Sequence, residues 1–350
     1  MTNEVLFSIS DNGVATILLN RPKALNSLTL EMVQAIGTTL TDWAENDQVK
    51  AVIMKGSGTK GLCAGGDIKT LYAAKDSADG LEKAHNFFIT EYRTDLAVAQ
   101  FPKPIIACLD GIVMGGGVGL TYGASTRIVT ERTIWAMPEM TIGFFPDVGA
   151  AYFLNKAPGF IGRYLALTAT QWKAADVLYM NAADHFILHD NLQLFLQELE
   201  QIEWQDSTLD TLLAKYTADQ PEEGKLASLQ QEIDMHFSKE TVEAIIDSLG
   251  KSNTPFAKET RETMLSKSPV SLKVTLKQIV SGQSKTLKEC LATDLILAKN
   301  FMKHEDFFEG VRSVLIDKDL TPQYNYPLLS SVSEEMVNRF FIAESTIANK

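Results

Sequence analysis

The chain has 350 residues, of which 45% are hydrophobic and 22% charged, and its 44 acidic against 32 basic side chains give a formal charge of −12. This composition excludes disorder and collagen-like structure. At roughly 150 residues per domain, the length fits one large domain or two to three average ones, with a core that needs no covalent staples. So acidic a chain is a poor candidate for general nucleic-acid binding, which relies on Lys and Arg to neutralise phosphates; a local basic pocket for one anionic ligand stays open.

Two β-like runs, Val5–Ser10 and Val14–Leu19, flank Asp11-Asn12-Gly13, a strong hairpin signal. Arg21-Pro22 ends the second run, because proline does not continue a sheet interior. Leu28–Trp43 reads as an amphipathic helix with Met32, Ile36, Leu40 and Trp43 on one face. Ala51–Met54 and Ile105–Leu109 are continuous apolar runs, the pattern of strands covered on both faces. A glycine-rich segment and then a helical stretch follow each. Arg127–Val129 and Ile134–Ala136 are expected to form a further strand pair.

This alternation predicts an α/β domain over residues 1–205. Over 206–350 the strand signal fades. Helical patterns take over at Leu209–Tyr216, Lys225–His236, Thr241–Leu249, Pro255–Leu265, Val270–Val280 and Leu287–Met302. Thr254-Pro255 and Ser268-Pro269 supply helix-start chemistry. This helical region is expected to cover the active site or mediate assembly.

Three cysteines, Cys63, Cys108 and Cys290, are too few and too scattered for a disulfide scaffold or a Cys-rich zinc site. A reducing compartment suits them. The first residues carry neither a basic and apolar leader nor an Arg-rich presequence, so a cytoplasmic location is expected. The most apolar stretch, Pro104–Leu120, is broken by Asp110 and five glycines and falls short of the ~20 apolar residues that span a bilayer. No membrane partner is expected.

Most catalytic signatures are missing. Gly123-Ala124-Ser125-Thr126 lacks the last glycine of a nucleophile elbow. Gly115-Gly116-Gly117-Val118-Gly119-Leu120 has neither the Lys-Ser/Thr of a phosphate loop nor the final glycine of a dinucleotide fingerprint. His185 and His189 lie four apart without an acidic partner at zincin spacing, so no metal site is expected. Three segments remain. Gly61–Asp67 follows an apolar strand, with small residues that bring backbone N–H groups close to a ligand and with Asp67 placed to open a helix. Asp110–Gly117 follows another strand, and its three glycines enter a helix whose first N–H groups are unpaired. Met137–Asp147 puts two carboxylates, Glu139 and Asp147, into apolar surroundings. Singly, a glycine turn is usually only a turn, and a Glu after Pro is usually a helix-start residue. Together they equip a site to hold an oxyanion while a carboxylate moves a proton or attacks.

These motifs resemble the crotonase (enoyl-CoA hydratase/isomerase) superfamily over nearly the whole chain, most weakly between residues 190 and 250. The resemblance rests on Asn20–Leu28, Cys63–Ile68, Met114–Leu120, Met137-Pro138-Glu139, Phe145–Gly149 and the late run Asp306–Asp319. Within the superfamily the pattern is most similar to the branch that hydrolyses 3-hydroxyisobutyryl-CoA. The resemblance implies a crotonase-like spiral of ββα turns followed by an all-helical C-terminal region. It implies an oxyanion hole at Ala64 and Gly116, catalytic Glu139 and Asp147, and substrate contacts from Glu91, Gly116, Glu139 and Asp147. Coenzyme A, as part of the substrate, would run along Lys23, Ala24, Leu25, Gly66, Asp67 and Ile68. Arg21, Lys23, Lys60, Lys69 and Lys318 are the basic residues that could meet its phosphates, and the sequence does not choose among them.

Hydratases of this superfamily carry a glutamate where this chain has Gly119, and usually glycine where it has Asp147. That exchange favours hydrolysis of a short branched β-hydroxyacyl-CoA, with Glu139 as nucleophile or general base and with no metal or redox cofactor. Two alternatives remain: a short-chain enoyl-CoA hydratase or isomerase, and a non-catalytic acyl-CoA-binding protein. Beyond the acyl-CoA, the sequence leaves room for a homo-oligomer.

Overall fold

The computed structural model describes residues 3–77, 79–205, 207–219, 221 and 224–343. The expected hairpin opens the chain. Strands β1 (Val5–Ile9) and β2 (Val14–Leu19) pair antiparallel, with Ile9 opposite Ala15. Gly13 turns between them at φ +88°, and a Cβ there would lie 2.3 Å from the Gln48 carbonyl oxygen. Helix α1 (Leu30–Glu45) starts two residues later than the apolar pattern suggests, because Thr29 caps it by accepting from the Met32 N–H at 3.3 Å. Met32, Ile36, Leu40 and Trp43 are buried as expected.

The strands that follow alternate between two sheets. β3 (Ala51–Gly56) joins β2 in parallel; β4 (Gly61–Cys63) leaves to start a second sheet and leads into α2 (Ile68–Ala73) and α3 (Gly80–Ala99). β5 (Ile105–Leu109) returns to the first sheet, β6 (Ile112–Met114) to the second, and α4 (Gly116–Tyr122) follows. β7 (Thr126–Val129), β8 (Ile134–Ala136) and β9 (His185–Phe186) complete a six-stranded sheet ordered β1-β2-β3-β5-β7-β9 and a three-stranded sheet ordered β4-β6-β8. The repeated strand–strand–helix unit is thus a spiral whose two strands feed different sheets.

That corrects one expectation. Thr126–Val129 and Ile134–Ala136 do not pair; they lie in different sheets, against β5 and β6. The turn between them sends the chain across, with Thr133 Oγ1 accepting from the Thr130 N–H at 2.9 Å and donating to the Leu109 carbonyl at 2.5 Å.

The C-terminal half is helical, at Thr208–Tyr216, Leu226–Phe237, Val242–Gly250, Pro255–Leu265, Pro269–Gly282 and Leu287–Phe301. Thr254 and Ser268 cap the two helices that begin with proline. The largest buried apolar cluster runs from Val5 to Phe340, so spiral and helical region share one core. At the junction Phe144 packs on Phe88 of α3 at 5.9 Å, on Phe301 at 5.4 Å and on Phe307 at 5.3 Å between ring centroids. Aromatic contacts of this kind add about 0.5–1.5 kcal/mol each beyond area burial, enough to fix how the helices sit over the spiral.

Candidate active site

The small sheet explains why three motifs distant in sequence meet. β4, β6 and β8 run parallel, pairing Cys63 with Val113 and Met114 with Ala136, so the segments leaving all three strands emerge at one edge. The first and second are the glycine loops; the third carries Glu139, in a short 3₁₀ turn over Glu139–Ile142. Backbone and carboxylates approach too closely for larger residues. A Cβ on Gly115, at φ +52°, would lie 2.4 Å from Glu139 Oε1. One on Gly116 would lie 2.3 Å from Glu91 Oε1 and 3.3 Å from the Gly66 nitrogen.

The structure corrects the expected oxyanion hole at Ala64. Its N–H donates to the Leu25 carbonyl at 3.0 Å, so that donor is already spent. The Gly66 and Gly116 N–H groups have no backbone acceptor among the described residues and lie beside one another. Gly66, expected only as a coenzyme A contact, is thus the available donor beside Gly116, where Ala64 was expected. The sequence carries no signal that separates the two donors: Gly65 between them stands at φ +103°, and only the pairing of Ala64 with Leu25 tells them apart.

The expected coenzyme A segments lie against the first glycine loop. Pro22–Ala24 forms a 3₁₀ turn, and Leu25 and Asn26 follow in the left-handed region at φ 53° and 56°. Asn26 holds this bend from inside: its Oδ1 accepts from the Arg21 N–H at 2.9 Å, and its Nδ2 donates to the Ser57 and Gly61 carbonyls at 3.0 and 3.1 Å. Asp67 caps α2, accepting from the Thr70 N–H at 3.4 Å, and Ile68 begins that helix half-buried. Arg21, expected among the phosphate contacts, is engaged within the protein. Its guanidinium is an internal strut, 2.9 Å from Glu4 and 2.9 Å from Asp67 and bonded to Ser27. Lys23, Lys60, Lys69 and Lys318 are exposed.

Four buried carboxyl groups gather behind the glycines: Glu91 and Asp95, one turn apart on α3, with Glu139 and Asp147. Desolvation drives all four upward from the usual carboxylate range, and repulsion from neighbouring acids adds to it at Glu91, Asp95 and Glu139. Asp147 is lowest, at about 6, because the Tyr92 hydroxyl donates to its Oδ2 at 2.6 Å and favours the ionised form. Glu91 and Glu139 are pushed well above their ordinary value. Glu91 Oε1 and Glu139 Oε2 have no protein partner among the described residues. Buried acceptors in that state call for a donor from a ligand or water.

The helical region holds these groups in place. Gln278 Nε2 donates to the Pro146 carbonyl, and the Gly149 N–H donates to Asp294 Oδ2, both at 2.8 Å, on either side of Asp147. The late run packs beneath Glu139: a Cβ on Gly310 would lie 2.3 Å from the Ile142 carbonyl carbon, and one on Gly143 2.2 Å from the Asp306 carbonyl oxygen. Tyr92, Asp95, Gln278 and Asp294 were not predicted as site residues. Their one signal was a polar residue on an apolar helix face.

Known proteins resemble this chain over nearly its whole length. The enoyl-CoA hydratase/isomerase family matches residues 14–341. The mitochondrial 3-hydroxyisobutyryl-CoA hydrolase of Mus musculus is 41% identical over 93% of this chain and 85% of its own length. The human protein of the same name is 39% identical with the same coverage. Among solved structures, a carnitinyl-CoA dehydratase from Mycobacterium thermoresistibile superposes with a TM-score of 0.92 at 35% identity, covering 99% of this chain and 98% of its own. An enoyl-CoA hydratase from Rhodobacter sphaeroides gives 0.89 at 34% identity, covering 97% of each chain. These likenesses bear out the crotonase-like spiral. They overturn the expected cytoplasmic location, since the hydrolase relatives are mitochondrial proteins.

Proposed function

The chain belongs to the enoyl-CoA hydratase/isomerase family, and on that premise we propose that it hydrolyses 3-hydroxyisobutyryl-CoA to 3-hydroxyisobutyrate and free coenzyme A, a step of valine breakdown. The observation that carries this reading is the exchange of acids around the site. Asp147 stands buried and held by Tyr92, while position 119 is a glycine with no room for a carboxylate: a Cβ there would lie 2.4 Å from Val148 Cβ. Hydration across a double bond uses two acids on one water, and the second position is closed. The hydrolase relatives, at 39–41% identity, support the same choice. The structural neighbours, a dehydratase and a hydratase by name, support the rival reading, against which the filled space at Gly119 argues.

In this reading the Gly66 and Gly116 N–H groups hold the thioester oxygen as negative charge develops on it. Glu139, ionised when it acts, either attacks the carbonyl carbon to give a mixed anhydride that water then cleaves, or takes the proton of an attacking water. In both routes the C–S bond breaks and the thiolate takes up a proton; the new carboxylate oxygen comes from water in the general-base route, and from Glu139 in the anhydride route, where water attacks the Glu139 carbonyl and replaces the oxygen it gave up. Oxygen-18 water in a single turnover separates the routes, because only the anhydride route labels the Glu139 side chain. Asp147 accepts a hydrogen bond from the acyl hydroxyl, and Glu91 lines the acyl pocket beside Gly116. Water is the only co-reactant, so the reaction needs no metal or redox cofactor.

The test is discrimination at the hydroxyl. A site built to bond a substrate hydroxyl rejects an analogue lacking it by ~10⁴ in favourable cases. kcat/KM for 3-hydroxyisobutyryl-CoA should exceed that for isobutyryl-CoA by orders of magnitude. Similar values for the two esters would remove Asp147 from its role.

A further inference from the structure

Asp95 is the one acid of the buried group that the proposed reaction leaves without a task. It is 3% exposed, and neither of its carboxyl oxygens has a hydrogen-bond partner among the described residues. A buried carboxyl left in that state is destabilising, so its presence asks for a reason. Its position supplies one. A Cβ on Gly119 of α4 would lie 3.0 Å from Asp95 Oδ2 and 2.4 Å from Val148 Cβ, so the carboxyl group and the valine side chain meet over the bare glycine. Val148 directly follows Asp147 and stands at φ +50°, a conformation a β-branched residue adopts only when its surroundings impose it.

We propose that Asp95 is a positioning residue for the reaction: as a neutral carboxylic acid packed with Val148 on Gly119, it holds Asp147 in place without opposing its charge. The idea rests on the thioesterase reading above. Neutrality is required by what faces Asp95 from every side. Glu91 and Tyr92 flank it on α3, Asp147 approaches from the third motif, Asp294 from the helix Leu287–Phe301, and Cys63 from β4. None of these is a cation. Burial, followed by the charges of Asp147 and Asp294, pushes Asp95 well above the ordinary aspartate range. Asp294 sits at about 8, where hydrogen bonds from the Gly149 N–H and Gln278 partly offset burial; Asp95 has no such partners. Raising the pH far enough to ionise Asp95 would set a second charge against Asp147 and break the arrangement.

The test is the pH profile of coenzyme A release by wild type, Asp95→Asn and Asp294→Asn. The amide keeps the shape of the acid and stays neutral. Asp95→Asn should therefore keep neutral-pH kcat within about threefold while its alkaline limb moves up by at least about one pH unit, a tenfold difference at the wild-type limb. Asp294→Asn should move that limb down, because one neighbouring charge no longer holds the Asp95 proton. An Asp95→Asn limb that coincides with wild type, or a limb abolished in Asp294→Asn, would overturn the proposal. A measurement on unaltered protein guards against a variant that does not fold. With aspartate carbonyl-13C labelling, the infrared C=O band of a protonated aspartate should persist at pH 9, above the range in which Asp294 loses its proton, and its absence would equally refute the idea. If wild type releases no coenzyme A, the thioesterase reading fails by itself, and the infrared band still reports whether Asp95 is neutral.

Discussion

Replacing Tyr92 by Phe removes one oxygen from a buried contact and little else. The hydroxyl donates to Asp147 Oδ2 at 2.6 Å, and the ring, 5.8 Å from that of Phe88, keeps its packing. Asp147 sits at about 6 because burial raises it while this hydrogen bond lowers it. A hydrogen bond to a charged group is worth about 1.5–3 kcal/mol, and one pH unit corresponds to about 1.36 kcal/mol. Losing the donor should therefore raise Asp147 by roughly one to two units. If the ionised carboxylate holds the acyl hydroxyl, activity rises with pH as Asp147 loses its proton. Glu139, which must also ionise, is pushed higher still, so kcat/KM for 3-hydroxyisobutyryl-CoA should rise on its acid limb in two steps, and the lower step, set by Asp147, should lie near pH 6 in wild type and roughly between 7 and 8 in Tyr92→Phe. A thiol-trapping assay across buffers of constant ionic strength reads both. A lower step displaced by less than about 0.3 unit, in a variant with native thermal stability, would show that Asp147 does not act as the ionised partner of the substrate.

Gly116→Val should lower kcat for thiol release by about 10²–10³, the usual effect of losing one oxyanion donor, since its Cβ falls 2.3 Å from Glu91 Oε1 and 3.3 Å from the Gly66 nitrogen; wild-type turnover in the folded variant would exclude this residue. Glu139→Gln should fold and bind coenzyme A esters, measured by calorimetry, yet lose turnover, because an amide is neither base nor nucleophile. Asp294 is raised to about 8 from an ordinary 3.8, so the folded state keeps a proton that the unfolded chain gives up. Its contribution to stability is therefore fully present below about pH 4 and lost as pH rises to about 8. Asp294→Asn has no such loss, so its melting temperature relative to wild type should climb between pH 5 and pH 8; a constant difference would contradict the assignment.

Local chemistry was legible in the sequence, and pairing across the chain was not. Asp11-Asn12-Gly13 specified its hairpin, and Thr254-Pro255 and Ser268-Pro269 their helix starts, because each signal acts within a few residues. The partner of Ile134–Ala136 depends on which sheet lies alongside, and three apolar residues carry no mark of it. The same limit explains Ala64. Its N–H and that of Gly66 look equivalent in the sequence until Leu25, bent back at φ 53°, takes one of them. Glu139 and Asp147 stood out as acids in an apolar run. Asp95 did not, because at i+4 from Glu91 on a long helix an acid ordinarily faces solvent, and only the glycine at 119 turns that position into part of the buried group.

Hydrolysis and hydration can be told apart in one preparation of the wild-type protein. Free thiol released from 3-hydroxyisobutyryl-CoA and loss of enoyl absorbance from crotonyl-CoA are followed side by side at matched enzyme concentration. With Asp147 buried beside Tyr92 and with Val148 filling the space at Gly119, thiol release should be fast and hydration should be near background. Hydration of crotonyl-CoA outpacing thiol release would contradict the account at its centre.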